Sequence, residues 1–148
     1  MSIRVAGPAD ARALAALRAV WSGGDEPEFA ARMAAWLTSE GDSRTTWLVT
    51  KADEPVGMAS MLEYRRMPRP GRPDSRWGYV SNMFVREDAR DHGIGTALLE
   101  AIIATAEERG YVRLVLSPSV RSVPFYERAG FVVPDERAGD HRLLVRPS

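Results

Sequence analysis

Apolar positions recur along this chain with two different periods, and element boundaries are predicted where the period changes. Residues 3–5 suit a short opening strand. Pro8 and Asp10 then set up a helix through about residue 21, with Leu14, Leu17 and Val20 as its apolar stripe and Ser22-Gly23-Gly24-Asp25 as its breaker. A second helix is predicted over residues 26–40, where Phe29, Met33, Trp36 and Leu37 share a face and Gly41 follows. Two strand-like runs, 45–51 and 56–66, are joined by Ala52-Asp53-Glu54-Pro55, which supplies turn chemistry for a hairpin. The stretch MPRPGRPDS, residues 67–75, holds three prolines and a glycine and is expected to be a mobile surface loop.

The second half alternates more regularly. A strand over 76–86 leads into a helix over 93–109, where Ile94, Ala97, Leu98, Ala101, Ile102 and Thr105 lie on one face, and Gly110 ends it. The apolar run VRLVL within 111–117 suits a buried strand, so residues 76–117 read as a strand, helix, strand unit with parallel strands. A short helix over 122–129, closed by Gly130, precedes a final hairpin of 131–133 with 141–145. The whole reads as one α/β domain, residues 1–148, with a mixed central sheet of about six to seven strands and helices on both faces.

Composition narrows the chemistry. A chain of 148 residues can bury one real core but not two, so one site is expected. Twenty basic and twenty acidic residues cancel, which argues against nucleic acid or an anionic membrane as partner. All but one of the basic residues, Lys51, are arginine, so an arginine gains a role only by its position. There is no cysteine, and His92 and His141 stand far apart, so no metal site is expected and catalysis must use oxygen and nitrogen groups. No signal-peptide core and no long apolar run occur, and a cytoplasmic protein is expected.

The segment RDHGIGTA, residues 90–97, sits between a predicted strand and a predicted helix. Ligands of open α/β units collect beyond the carboxyl ends of strands, where a helix start presents unpaired N–H groups. Gly93 and Gly95 would let an anion approach the amides of His92 to Thr96, while Arg90 adds charge and Thr96 a hydroxyl. For an isolated G-x-G, a tight turn that permits close helix–sheet packing is an equally open reading. A Walker-type loop is absent, and G-x-G-x-x-G fails because Leu98 occupies the third glycine's place.

Arg90, Gly93 and Gly95 match the loop signature of the GNAT superfamily of N-acetyltransferases, which the chain resembles. The downstream segment Phe125-Tyr-Glu-Arg-Ala-Gly-Phe131 is similar to a second motif of that family, and the firm resemblance covers about residues 76–133. The resemblance implies an acyltransferase that moves an acetyl group from acetyl-coenzyme A to a primary amine of a small molecule or peptide, by direct attack in a ternary complex. It further implies that Arg90, Asp91, His92, Gly93, Ile94, Gly95 and Thr96 hold the pyrophosphate. Main-chain groups of Met83, Phe84 and Val85 would pair with the pantetheine arm, and Ser119 stands where many members place a cofactor-contacting asparagine. Members often form a homodimer, although no long apolar stripe is left over here for an interface.

The same resemblance makes Tyr126 the general acid for the departing thiolate, with Phe125 and Phe131 as packing. The base is open: Ser81 and Asn82 occupy the positions where many members carry an acid, so Glu63 or a water chain at Ser81 and Asn82 would serve. Asp25, Glu26 or Glu28 could line the acceptor mouth, and the amide of Phe84 or Val85 could polarise the thioester carbonyl. Trp21, Tyr64 and Trp77 are aromatics of either an acceptor pocket or plain packing, and Arg65, Arg66, Arg69, Arg72 and Arg76 form a basic cluster beside the proline loop. A second reading is a module of the same fold that binds coenzyme A or an acyl-coenzyme A without turnover.

Overall fold

The computed structural model describes residues 1–133 and 144–147. Six strands are hydrogen-bonded in the order of the sequence: β1 (Ser2–Val5), β2 (Arg44–Lys51), β3 (Glu54–Arg65), β4 (Arg76–Val85), β5 (Arg113–Leu116) and β6 (Leu144–Pro147). The pairing of β1 with β2 is antiparallel, that of β4 with β5 parallel and that of β5 with β6 antiparallel, so the sheet is mixed. Four α-helices accompany it among the described residues: α1 (Ala11–Ser22), α2 (Phe29–Glu40), α3 (Ile94–Glu108) and α4 (Val123–Arg128). None of these helices is long and apolar enough to cross a membrane.

Contacts group the chain into two compact units. The first comprises residues 1–60 and 82–100. Its core is built by Leu14 and Leu17 of α1, Leu48 of β2, Met58 of β3 and Phe84 of β4, with Met33 and Leu37 of α2 packed against them. Burying Leu14, Leu17, Leu48, Met58 and Phe84 contributes about 1.5–3 kcal/mol each. The expected stripes of α1 and α2 are thus mostly the faces that pack, but Val20 is exposed. The approach to α1 is pinned locally: Asp10 accepts the Gly7 amide (3.0 Å) and pairs with Arg4. Gly57 of β3 lets α3 come close, because a Cβ there would lie 3.2 Å from Ile94 Cγ2 and 3.4 Å from the Phe84 carbonyl.

The second unit comprises residues 61–81 and the described residues from 101 onward. Here β4 and β5 align Gly78 with Leu114, Tyr79 with Val115 and Val80 with Leu116, the parallel pairing expected of a strand, helix, strand unit. Glu63 is a hub: it accepts Tyr111 Oη (2.8 Å), Arg65 Nε (3.0 Å) and Arg76 Nη1 (3.3 Å), and Arg76 also donates to the Arg109 carbonyl (2.7 Å). The basic cluster by the proline loop is therefore partly neutralised at its base, where the Arg66 amide also bonds the Ser75 carbonyl (3.0 Å). The expected pairing of 131–133 with the last strand appears as a single antiparallel bridge, Val132 to Val145, closed by two backbone hydrogen bonds (2.8 and 2.7 Å), while β6 also pairs with β5 along its other edge. His141 lies outside the described residues.

The β2–β3 connection is tighter than its four turn-prone residues suggested. Glu54 and Pro55 belong to β3, leaving Ala52 and Asp53 as a two-residue turn with φ of 51° and 64°. Such turns match the strand twist but require left-handed backbone, which costs a residue with a Cβ about 1–2 kcal/mol. Ala52→Gly is therefore expected to stabilise the protein by roughly 0.5–1 kcal/mol, read as a higher denaturant midpoint at unchanged slope. Acid should destabilise it by a second route. Burial pushes the Asp10 and Glu63 carboxyls up, but the Gly7 amide and Arg4 outweigh it at Asp10, and Tyr111, Arg65 and Arg76 do so at Glu63, so both end below the ordinary value. A depressed folded pKa adds stability that is present above about pH 4 and lost as pH falls through the folded value. In Asp10→Asn and Glu63→Gln, melting temperature should be lower at neutral pH and fall less steeply on acidification.

Candidate active site

Pairing between β4 and β5 ends at Val80 and Leu116, while β4 runs on to Val85. Within that extension Asn82 adopts φ 55°, a left-handed conformation in the middle of a strand. Asparagine tolerates this better than most residues, but the position still needs an anchor. Ser60 of β3 supplies it, since Asn82 Nδ2 donates to Ser60 Oγ (3.1 Å). Ser60 is buried and also accepts Arg44 Nη1 (3.0 Å), while Arg44 Nε donates to Glu40 (2.8 Å) and its guanidinium lies 5.0 Å over the Trp36 ring. A chain of directed contacts from α2 through β2 and β3 thus holds the irregular turn of β4. The amides immediately beyond it belong to Met83 and Phe84, so the irregularity stands two residues ahead of Phe84 and three ahead of Val85, the residues expected to supply a polarising amide.

From there the chain leads directly to the glycine loop. Arg86 is held by the Val56 carbonyl through its amide (2.8 Å) and by Asp88 through its side chain (3.0 Å). Arg90 Nε donates to the Val85 carbonyl (3.0 Å), which ties the loop's guanidinium to the end of β4 and leaves its other N–H groups for a ligand. Asp91 and Gly93 have φ of 66° and 77°, and nothing lies within 4 Å of the place a Cβ of Gly93 would take. Arg90, Asp91, His92, Gly93 and Thr96 are exposed, whereas Ile94 is buried as the loop's anchor. The first helical bond of α3 runs from the Ala97 amide to the Gly93 carbonyl (3.0 Å), so the amides of Ile94, Gly95 and Thr96 precede it and are the unpaired donors of a helix start. Exposed amides, an open glycine and a fixed arginine fit a diphosphate.

Next to this stretch lies a cavity of about 420 Å³, lined by residues that include Leu14, Arg18, Phe29, Arg32, Trp36, Ser60 and Asn82. Trp21 stacks on Phe84 at 5.4 Å and carries the Arg18 guanidinium 4.1 Å over its ring. Tyr64 and Trp77, by contrast, contact each other at 4.6 Å in the second unit. Asp25, Glu26 and Glu28 are exposed; Asp25 accepts the Glu26 amide (2.7 Å), and Glu26 pairs with Arg32. Among the described residues no carboxylate lines the cavity and no group of three or more metal-ligating side chains occurs. Sequence reasoning missed the cavity and Arg18; the one available signal was Asn82, a residue of left-handed tendency inside an apolar run.

In the second unit, Tyr126 of α4 is 6% exposed, its ring meeting Phe125 and Phe131 edge-on at 5.0 and 5.6 Å. No described residue bonds its hydroxyl, yet no buried polar side-chain atom is left without a partner, so the oxygen retains accessible surface. Burial pushes its pKa up to about 12, which keeps the proton on. Ser119 Oγ is engaged with Ser122 Oγ (2.9 Å) in the turn ahead of α4. Glu63 is a poor base, because Tyr111, Arg65 and Arg76 all stabilise its charged form.

Comparisons with known proteins give the family and the fold. A glucosamine 6-phosphate N-acetyltransferase of Trypanosoma brucei brucei is 32% identical over 76 residues, an alignment that takes in 51% of this chain and 50% of that protein. The chain thus matches about half the length of that curated relative. The fold is that of an acetyltransferase of the GNAT family from Streptococcus pneumoniae, with a TM-score of 0.77, 22% identity and coverage of 99% of this chain and 98% of that one. It is likewise similar to a predicted acetyltransferase of Clostridium acetobutylicum crystallised with acetyl-CoA, with a TM-score of 0.73, 23% identity and coverage of 91% and 92%. The model of the acetyltransferase (GNAT) family matches residues 11–131, and the chain belongs to that family.

Proposed function

We propose that residues 1–148 form a single acetyl-CoA-dependent N-acetyltransferase domain acting on a primary amine of a small molecule. The observation that carries this reading is the head of α3, where Gly93 is left-handed and open and the amides of Ile94, Gly95 and Thr96 precede the first helical bond. Arg90 and these amides would hold the pyrophosphate, and Met83, Phe84 and Val85 would offer main-chain groups to the pantetheine arm. The amides beyond Asn82 would polarise the thioester carbonyl, with Met83 joining Phe84 as donor. The relative of trypanosomal origin acts, by its name, on an amino sugar phosphate, which supports a small-molecule acceptor.

In this reading the amine nitrogen forms the new bond to the acetyl carbon as the carbon–sulfur bond breaks. The sulfur takes the proton of the Tyr126 hydroxyl, and the proton lost by the amine returns to Tyr126 through water. Asn82 and Ser60, on the cavity wall, would order that water in place of a carboxylate. The missing carboxylate also favours the second reading, a module that binds coenzyme A without turnover.

Tyr126→Phe separates the two. The ring contacts survive this change, so the variant should fold as the parent does, bind acetyl-CoA equally well and lose about 10²- to 10⁴-fold in kcat. A parent that binds acetyl-CoA yet acetylates no amine of a broad panel would favour the module. Because Tyr126 holds its proton up to about 12, the pH–rate profile should rise as the amine deprotonates and show no alkaline fall from this group below that value.

A further inference from the structure

The cavity beside Asn82 carries a charge that no described residue neutralises. Arg32 on its wall pairs with Glu26, but among the described residues Arg18 has no carboxylate partner and no hydrogen-bond acceptor, although it is half-buried. Its guanidinium lies 4.1 Å over the ring of Trp21, which is in turn stacked on Phe84 with an interplanar angle of 11°. A guanidinium held by its face keeps its N–H edge for an acceptor in its own plane, the geometry that suits a carboxylate or a phosphate. Water alone solvates that edge in the open cavity, so an anionic ligand can displace it and pair with the guanidinium directly. The remaining walls are largely apolar, formed by Leu14, Phe29, Met33, Trp36 and Met58. At about 420 Å³ the space suits a small molecule.

We infer that the acceptor is an amine with an anionic group at its far end, a carboxylate or a phosphate, which Arg18 binds while the apolar walls hold the body between. The inference rests on the acetyltransferase reading for the amine, and on Arg18 alone for the anion. Polyamines and other purely cationic acceptors are poor guests, since the lining holds two arginines and no carboxylate.

The test uses matched probes on the full chain loaded with coenzyme A: phenylalanine against 2-phenylethylamine for the carboxylate, and glucosamine 6-phosphate against glucosamine for the phosphate. Titration calorimetry should show the anionic member of at least one pair binding roughly 10- to 100-fold more tightly than its counterpart, as expected for hydrogen bonds to a charged group. Arg18→Gln should erase that difference while leaving the counterpart's affinity and the affinity for coenzyme A unchanged, and Arg18→Lys should restore part of it. Which pair responds tells carboxylate from phosphate. Equal binding within both pairs, no binding by any probe, or a preference that survives Arg18→Gln with its melting temperature intact would overturn the inference. Coenzyme A binding, measured in the same samples, reports separately on the acetyltransferase reading: its loss would end that reading, whereas its persistence without an anion preference would end only this one.

Discussion

One backbone conformation organises the site, and one hydrogen bond holds it. Asn82 takes a left-handed turn inside β4, and its amide reaches Ser60, which Arg44 braces from the other side. Such a residue disrupts the ladder of its own strand, and its conformation persists only where the surroundings over-determine it. The path of the chain from that turn to α3 depends on it: Met83 to Val85 continue beyond the last pair with β5, Arg90 hooks onto the Val85 carbonyl, and Gly93 opens the head of α3. The strand irregularity and the anion loop are consecutive parts of one segment.

The same small network also shapes the cavity proposed for the acceptor. Ser60 and Asn82 are at once the brace of β4 and part of the cavity wall, so the groups that fix the geometry also present polar atoms to whatever enters. Among the described residues no carboxylate lines the cavity, and Glu63 is committed to three donors in the second unit. At Tyr126, the proposed proton donor, burial favours the protonated hydroxyl, which suits a donor and not a base.

Much of the fold was legible because it rests on short-range rules. The helical stripes of Leu14 and Leu17 and of Ile94, Leu98 and Ile102 became buried faces, and the run VRLVL became a strand parallel to β4. RDHGIGTA was legible for the same reason, since glycine and a helix start are local features. The terminal pairing was legible in part: Val132 does pair antiparallel with Val145, but alternation alone could not show that β6 would also pair with β5. The role of Glu63 escaped too, because its partners Tyr111 and Arg76 lie far along the chain. The cavity and Arg18, which has no carboxylate partner among the described residues, were invisible for a related reason: a pocket is made by residues from five elements whose meeting only the fold defines.

The proposed function depends on the segment from Asn82 to Thr96 being a cradle for pantetheine and pyrophosphate. Thermal unfolding of the full chain with acetyl-CoA, coenzyme A, ATP and NAD at equal concentration tests it most directly. A ligand present at about a hundred times its dissociation constant adds roughly 2.7 kcal/mol to the folded state, which is a shift of several degrees for a domain of this size. Stabilisation by the two coenzyme A species alone is the predicted result. A folded protein that neither of them stabilises would reduce the loop to a packing turn and contradict the assignment of the cradle.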